Sequence, residues 1–103
     1  MIARIWAGTA RLGQIDAYVA HLREKTFPHL ASIPGHRGAY VLQRPSNEGI
    51  AVTVITLWES VDAIARFAGA DAEAAVVPPE AQALLTAWDR RATHWQVVYE
   101  TVR

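Results

Sequence analysis

The run Ile50-Ala-Val-Thr-Val-Ile-Thr-Leu57 is rich in β-branched residues and ends in Trp58-Glu59-Ser60, after which Val61-Asp-Ala-Ile-Ala-Arg-Phe67 changes to helical spacing. A strand therefore stops and a helix starts within three residues. Ser60 is suited to cap the helix, because its hydroxyl can accept from the first free amides, and Asp62 places negative charge in the first turn, where the helix dipole favours it. Within the strand, Ile50, Val52, Val54, Thr56 and Trp58 share one side and Ala51, Thr53, Ile55 and Leu57 the other. Neither side is made for water, so both faces of the sheet are expected to be covered.

The other elements follow by the same reading. Alternation predicts a strand over Ile2–Thr9, with Arg4 and Trp6 on one face. From Leu12 to Phe27, Ile15, Tyr18, Val19, Leu22 and Thr26 recur at helical spacing, and Pro28 is expected to end that helix. Ile33-Pro-Gly-His-Arg-Gly38 reads as a loop into a strand over Ala39–Arg44, and Pro45-Ser-Asn-Glu-Gly49 as the turn of a hairpin. Pro78-Pro79 precede a stripe of Ala81, Leu84, Leu85 and Trp88 that predicts a helix, and His94–Thr101 a last strand. The order β-α-β-β-α-(α)-β predicts an α+β fold. Its expected form is a ferredoxin-like split-βαβ sandwich with an antiparallel sheet and helices on one face.

At 103 residues the chain is expected to be one domain over 1–103, large enough to bury somewhat over ~60% of its unfolded surface. It has no cysteine, which excludes thiol catalysis, thiolate metal sites and disulfides, and makes the cytoplasm the expected compartment. No apolar run nears membrane-spanning length and the start lacks a leader pattern, so no membrane partner is expected. Ten basic and ten acidic side chains are scattered along the chain, leaving no basic stripe for nucleic acid. With 51% apolar residues the chain has material to spare for a second copy of itself, and the two-sided strand points the same way. A homodimer is expected.

Ile33-Pro-Gly-His-Arg-Gly-Ala-Tyr40, the Trp58-Glu-Ser60 junction, Ala63-Ile-Ala-Arg-Phe-Ala68 and Ala75-Val-Val-Pro-Pro-Glu80 together resemble the antibiotic biosynthesis monooxygenase domain family, whose fold is the dimeric α+β barrel. The resemblance covers nearly the whole chain. It implies an apolar pocket between sheet and helices and, in one branch of the family, oxidation of polycyclic phenols by molecular oxygen with no cofactor. Another branch opens heme, using a strand asparagine, a helix tryptophan and an iron-ligating histidine. An ungapped alignment sets Ala7, Phe67 and Val77 at those positions, which disfavours heme chemistry here.

His94 opens the last strand beside Trp95 and is the candidate proton carrier, since imidazole titrates near neutrality; the plainer role is a strand-end histidine. On the resemblance, Phe67 is a pocket wall. Trp6 could stack on an aromatic ligand or fill the dimer barrel. Arg37, beside His36, could reach an acidic group from the loop, or be solvated there, and Tyr40 is a further pocket candidate. Arg4 is a second cationic candidate. The spacing of His21, His29 and His36 matches no metal site, Asp71, Glu73, Glu80 and Asp89 form no carboxylate pair, and no phosphate-binding glycine motif follows the first strand. No cofactor and no metal are expected. The function expected is a cofactor-independent monooxygenase acting on a small hydrophobic phenolic or quinoid compound; the alternative is a non-catalytic ligand-binding or structural dimer of the same fold.

Overall fold

The computed structural model describes residues 1–102. Five strands, β1 (Ile2–Ala10), β2 (His36–Ser46), β3 (Gly49–Trp58), β4 (Leu85–Trp88) and β5 (Thr93–Gln96), form one antiparallel sheet. Its order is β2-β3-β1-β4, with β5 also paired to β1. β4 takes the Gly8–Ala10 end of β1 and β5 the Ile2–Ile5 end, so the two short strands share one edge. The fold is α+β, as expected, and the sheet stays open rather than closing on itself.

The strand–helix junction is built as the sequence implies. The Ser60 hydroxyl accepts from the Ala63 amide at 3.2 Å and starts α3 (Val61–Ala68). The same corner explains the Pro-Gly loop. Gly35 has φ +96, its carbonyl accepts from the Glu59 amide at 2.8 Å, and a Cβ placed on it would stand 2.5 Å from the Ala63 Cβ. Only glycine fits there, on both conformational and steric grounds. Arg66 donates to the Pro34 carbonyl at 2.8 Å and Arg37 pairs with Glu59 at 2.7 Å, so loop, junction and helix form one locked unit.

Three elements differ from the sequence reading. The first helix does not end at Pro28: α1 (Ile15–His21) passes through a π-helical turn, Leu22–Thr26, into α2 (Phe27–Ala31). The widened turn removes the clash between the proline ring and the carbonyl one turn back, and Pro28 sits in the first turn of α2, where its missing N–H costs nothing. The predicted Ala81–Trp88 helix is one turn, α4 (Pro79–Gln82), followed by β4. Ala81 and Leu85 are both buried, so the apolar spacing was real, but the helix ends at Gln82 and Leu85 already belongs to β4. The last strand runs only Thr93–Gln96 because its partner β1 begins at Ile2; the Val97 amide makes one further bond, to the Met1 carbonyl.

The helices and the 72–78 segment cover one face of the sheet. Val52, Val54, Thr56 and Trp58 of β3 are buried under them, with Leu30, Ile64 and Leu85 among the most enclosed side chains. The opposite face is uncovered. Leu57, Ile55 and Thr53 stand there opposite Ala3, Ile5 and Ala7 of β1, flanked by Tyr40 (52% exposed) and Leu42 on β2 and Trp95 (56% exposed) on β5. A shallow depression of about 550 Å3 crosses it between Leu42, Thr53, Ala7 and Ala87. No helix among the described residues is long and apolar enough to cross a membrane.

Candidate active site

Between sheet and helices lies a cavity of about 60 Å3. Arg4, Trp6, Val54 and Thr56 form its floor on β1 and β3; Tyr18, His21, Leu22, Thr26, Phe27 and Leu30 form one wall; Phe67 of α3 and the strap Val76-Val77-Pro78 close the other side. The alternation of β1 sends Arg4 and Trp6 inward together. Gly8 makes room for the indole, since a Cβ there would meet the Trp6 ring at 2.9 Å. The Trp6 Nε1–H donates to the Asp89 carbonyl at 2.8 Å, which fixes the ring 6.5 Å from Tyr18.

Phe67 is held from behind by Trp58, whose ring stacks on it at 6.1 Å and whose Nε1–H donates to Thr56 Oγ1 at 2.8 Å. In front of Phe67, 5.6 Å from its centroid, lies the Arg4 guanidinium. Arg4 is only 5% exposed; its Nη2 donates to the Ala74 carbonyl at 2.6 Å, while its Nε is buried with no partner. Burial opposes its charge and lowers its pKa. Burial also pushes the Tyr18 hydroxyl far above the usual tyrosine range, so it stays protonated as a donor.

The sequence-derived candidates separate cleanly in space. Trp6 and Phe67 line the cavity. Arg37 does not: it is solvent-exposed and paired with Glu59 at the corner described above. Tyr40 projects from the uncovered face of the sheet, on the far side from the cavity. His94 stands cross-strand from Arg4 and on its face, outside the cavity wall. Ala7, which the alignment sets opposite the heme branch's asparagine, also lies on the uncovered face, whereas Val77 does line the cavity. Tyr18, Leu22, Leu30 and the strap are cavity residues that no strand alternation could reveal, because helix packing brings them there. His21, for which the sequence offered only a metal spacing that fails, also lines the cavity, its ring 6.5 Å from Tyr18.

His36 and His94 each bury a partnerless Nε2. Burial lowers both pKa values, with the Arg4 charge adding to the effect at His94; backbone contacts with Gly38 and Ala72, and Glu73 near His94, offset part of it. Because the folded values lie below the ordinary 6.5, the unfolded chain takes up these protons first as pH falls. Stability from this source is therefore complete above pH 6.5 and declines below it, through the lowered folded values. Urea midpoints are expected to drop as pH is lowered through that range, and a His36→Gln/His94→Gln variant to show a flatter profile.

The sequence profile of the family described as antibiotic biosynthesis monooxygenase matches residues 1–78. The chain belongs to the antibiotic biosynthesis monooxygenase family. Its fold is shared with an antibiotic biosynthesis monooxygenase-like protein from Chloroflexus aurantiacus (TM-score 0.68, 24% identity, covering 98% of this chain and 96% of that one). It is shared too with a monooxygenase from the Streptomyces coelicolor gene ActVA-Orf6, in complex with nanaomycin D (TM-score 0.62, 16% identity, 99% and 91%). A third similar structure is a mutant of MhuD with two manganese protoporphyrin IX bound per active site (TM-score 0.63, 20% identity, all of both chains). No curated protein matches the sequence.

The strap presents Val76, Val77 and Pro78 to the cavity, none of which can ligate iron.

Proposed function

We propose that the chain is a cofactor-independent monooxygenase that binds a small phenolic or quinoid compound in the cavity between sheet and helices, and that it works as a homodimer. The observation that carries the reading is the cavity's composition: four aromatic side chains, Trp6, Tyr18, Phe27 and Phe67, around one buried cation, Arg4, with no carboxylate in the lining. Aromatic walls suit a flat ring, and a desolvated guanidinium favours the ring's ionised form. Ionisation is what the chemistry needs, since a phenolate is electron-rich enough to reduce oxygen itself.

The reaction then balances without an added reductant. The phenol loses its proton to a base, the phenolate carbon forms a bond to oxygen, and the resulting hydroperoxide loses water to leave a quinone; one phenol and one O2 give one quinone and one water. We assign the passage of that proton to His21, the one imidazole in the cavity lining. His94 does not touch the cavity; it stands cross-strand from Arg4, whose charge helps to lower its pKa. The apolar walls formed by Trp6, Phe27 and Phe67 leave little room for water beside the reactive intermediate.

The test is oxygen-electrode measurement with a panel of one- and two-ring phenols and quinols, with quinone followed optically. One O2 consumed per quinone, unaffected by chelators, is the expected result. Saturable ligand binding without oxygen uptake would make the protein a binding dimer instead.

A further inference from the structure

The Arg4 guanidinium is buried as an unbalanced charge. Among the described residues its side chain makes a single hydrogen bond, to the Ala74 carbonyl, although it carries five N–H donors. The ion pairs there join Arg37 to Glu59 and Arg91 to Asp71 and Glu73; none reaches Arg4. Glu73, the acid that acts on the neighbouring His94, is held by Arg91 at 3.2 Å. A buried cation without a counter-ion is strongly unfavourable, and a buried partnerless N–H adds to that cost. The fold keeps it in the wall of a cavity that contains no acid of its own.

Size limits the counter-ion. A cavity of about 60 Å3 is smaller than the roughly 150 Å3 known to admit benzene, so no ring enters without displacement of a wall. The strap is the wall able to yield: Val76 is exposed on its outer side and the segment belongs to no helix or strand. Displacing it enlarges the cavity on that side alone, because Leu22 and Leu30 on the opposite wall are nearly fully enclosed in the core.

We infer that the cavity is a site for a single-ring phenolate, whose oxygen accepts from the free Nε–H of Arg4 while its ring lies among Trp6, Tyr18 and Phe67. This rests on the reading of the cavity as the substrate site, and it names the substrate's size and charge state. Arg4 thereby becomes the binding residue for the anionic oxygen. The Ala74 carbonyl, bonded to the same guanidinium, ties the anchored end of the strap to the ligand.

The probe is 4-nitrophenol, whose neutral and ionised forms absorb differently and whose ring is too electron-poor to be oxidised readily. Titrated against the intact protein over a pH series, the bound phenol is expected to ionise at least about one pH unit below the free compound, the tenfold preference that a charge-assisted hydrogen bond supplies. Nitrobenzene, the same shape without the anion, is expected to bind at least about tenfold more weakly. Arg4→Met should abolish the downward displacement. Because that variant also loses the bond to Ala74, the wild-type titration stands by itself. An unchanged or raised ionisation midpoint overturns the inference, as do equal binding of nitrobenzene, absence of binding by either compound, and equally tight binding of a nitronaphthol. Lowered ionisation without oxygen uptake on any phenol upholds the site and removes the oxygenase reading; oxygen uptake with an undisplaced midpoint does the reverse.

Discussion

Trp58→Ala is expected to lower the stability of the protein by about 3–5 kcal/mol, the range for deleting a large aromatic side chain from a packed core. Trp58 is 0% exposed and touches three parts of the molecule at once. It meets His36 edge-on at 5.1 Å, backs Phe67 at 6.1 Å and donates to Thr56 Oγ1 at 2.8 Å. Truncation leaves a void that the surrounding strand and helix cannot collapse into, because the Gly35–Ala63 contact fixes the corner between them. Phe67 then loses the surface behind it, and with it the position that places its ring against Arg4. Trp58→Phe keeps the aromatic contact and loses the indole hydrogen bond, so a smaller cost of about 1–2 kcal/mol is expected. Urea unfolding of both variants, with the 4-nitrophenol titration run on each, separates packing from site geometry. A loss below about 1 kcal/mol in the alanine variant would show that the corner does not depend on the indole.

The parts of this structure that could be read from the chain are those whose signals are local. Ser60 caps α3, and the apolar alternation of β3 marks its two faces, because side chains within a strand or a helical turn report on one another at fixed spacing. Pro28 misled because a π-helical turn absorbs it. The segment after Pro79 misled for a different reason: Ala81 and Leu85 are both buried, a spacing of four that suits a helix, yet the pairing of Leu85 with Ala10 and of Trp88 with Gly8 puts the second of them on a strand. Alternation set Trp6 on the same face as Arg4 without saying whether that face meets the helices or a second copy, and the family resemblance set Phe67 in a pocket wall. Arg37 and Tyr40 are aimed by tertiary contacts, the ion pair with Glu59 and the uncovered sheet face, that no spacing reveals. Arg4 could be placed beside Trp6 on one face from the sequence. That it lacks a counter-ion is a property of the whole packed molecule.

A carboxylate at Ile55 or Leu57 is expected to convert the proposed homodimer to monomer. Both residues stand on the uncovered face, in register with Ile5 and Ala3 of β1, and Tyr40 lies beside Ile55. The apolar surface there runs from Tyr40 and Leu42 across the sheet to Trp95, a contiguous patch of the kind that marks an interface. In a two-fold dimer of sheets facing one another, each substitution appears twice in the same contact. Burying an unpaired carboxylate costs several kcal/mol, so two of them outweigh most of the association energy of a standard interface, and a weakening of at least about a hundredfold is expected. The folded subunit should survive, because neither side chain belongs to the buried core between sheet and helices. Val54→Asp has the opposite character: Val54 is part of the floor of the cavity, and a charge there disrupts the subunit itself. Sedimentation equilibrium on Ile55→Asp and Leu57→Asp, with circular dichroism to confirm the fold, checks the expectation. Dimers as tight as those of the unmodified chain would place the interface elsewhere and leave the apolar face of β3 without a role in association.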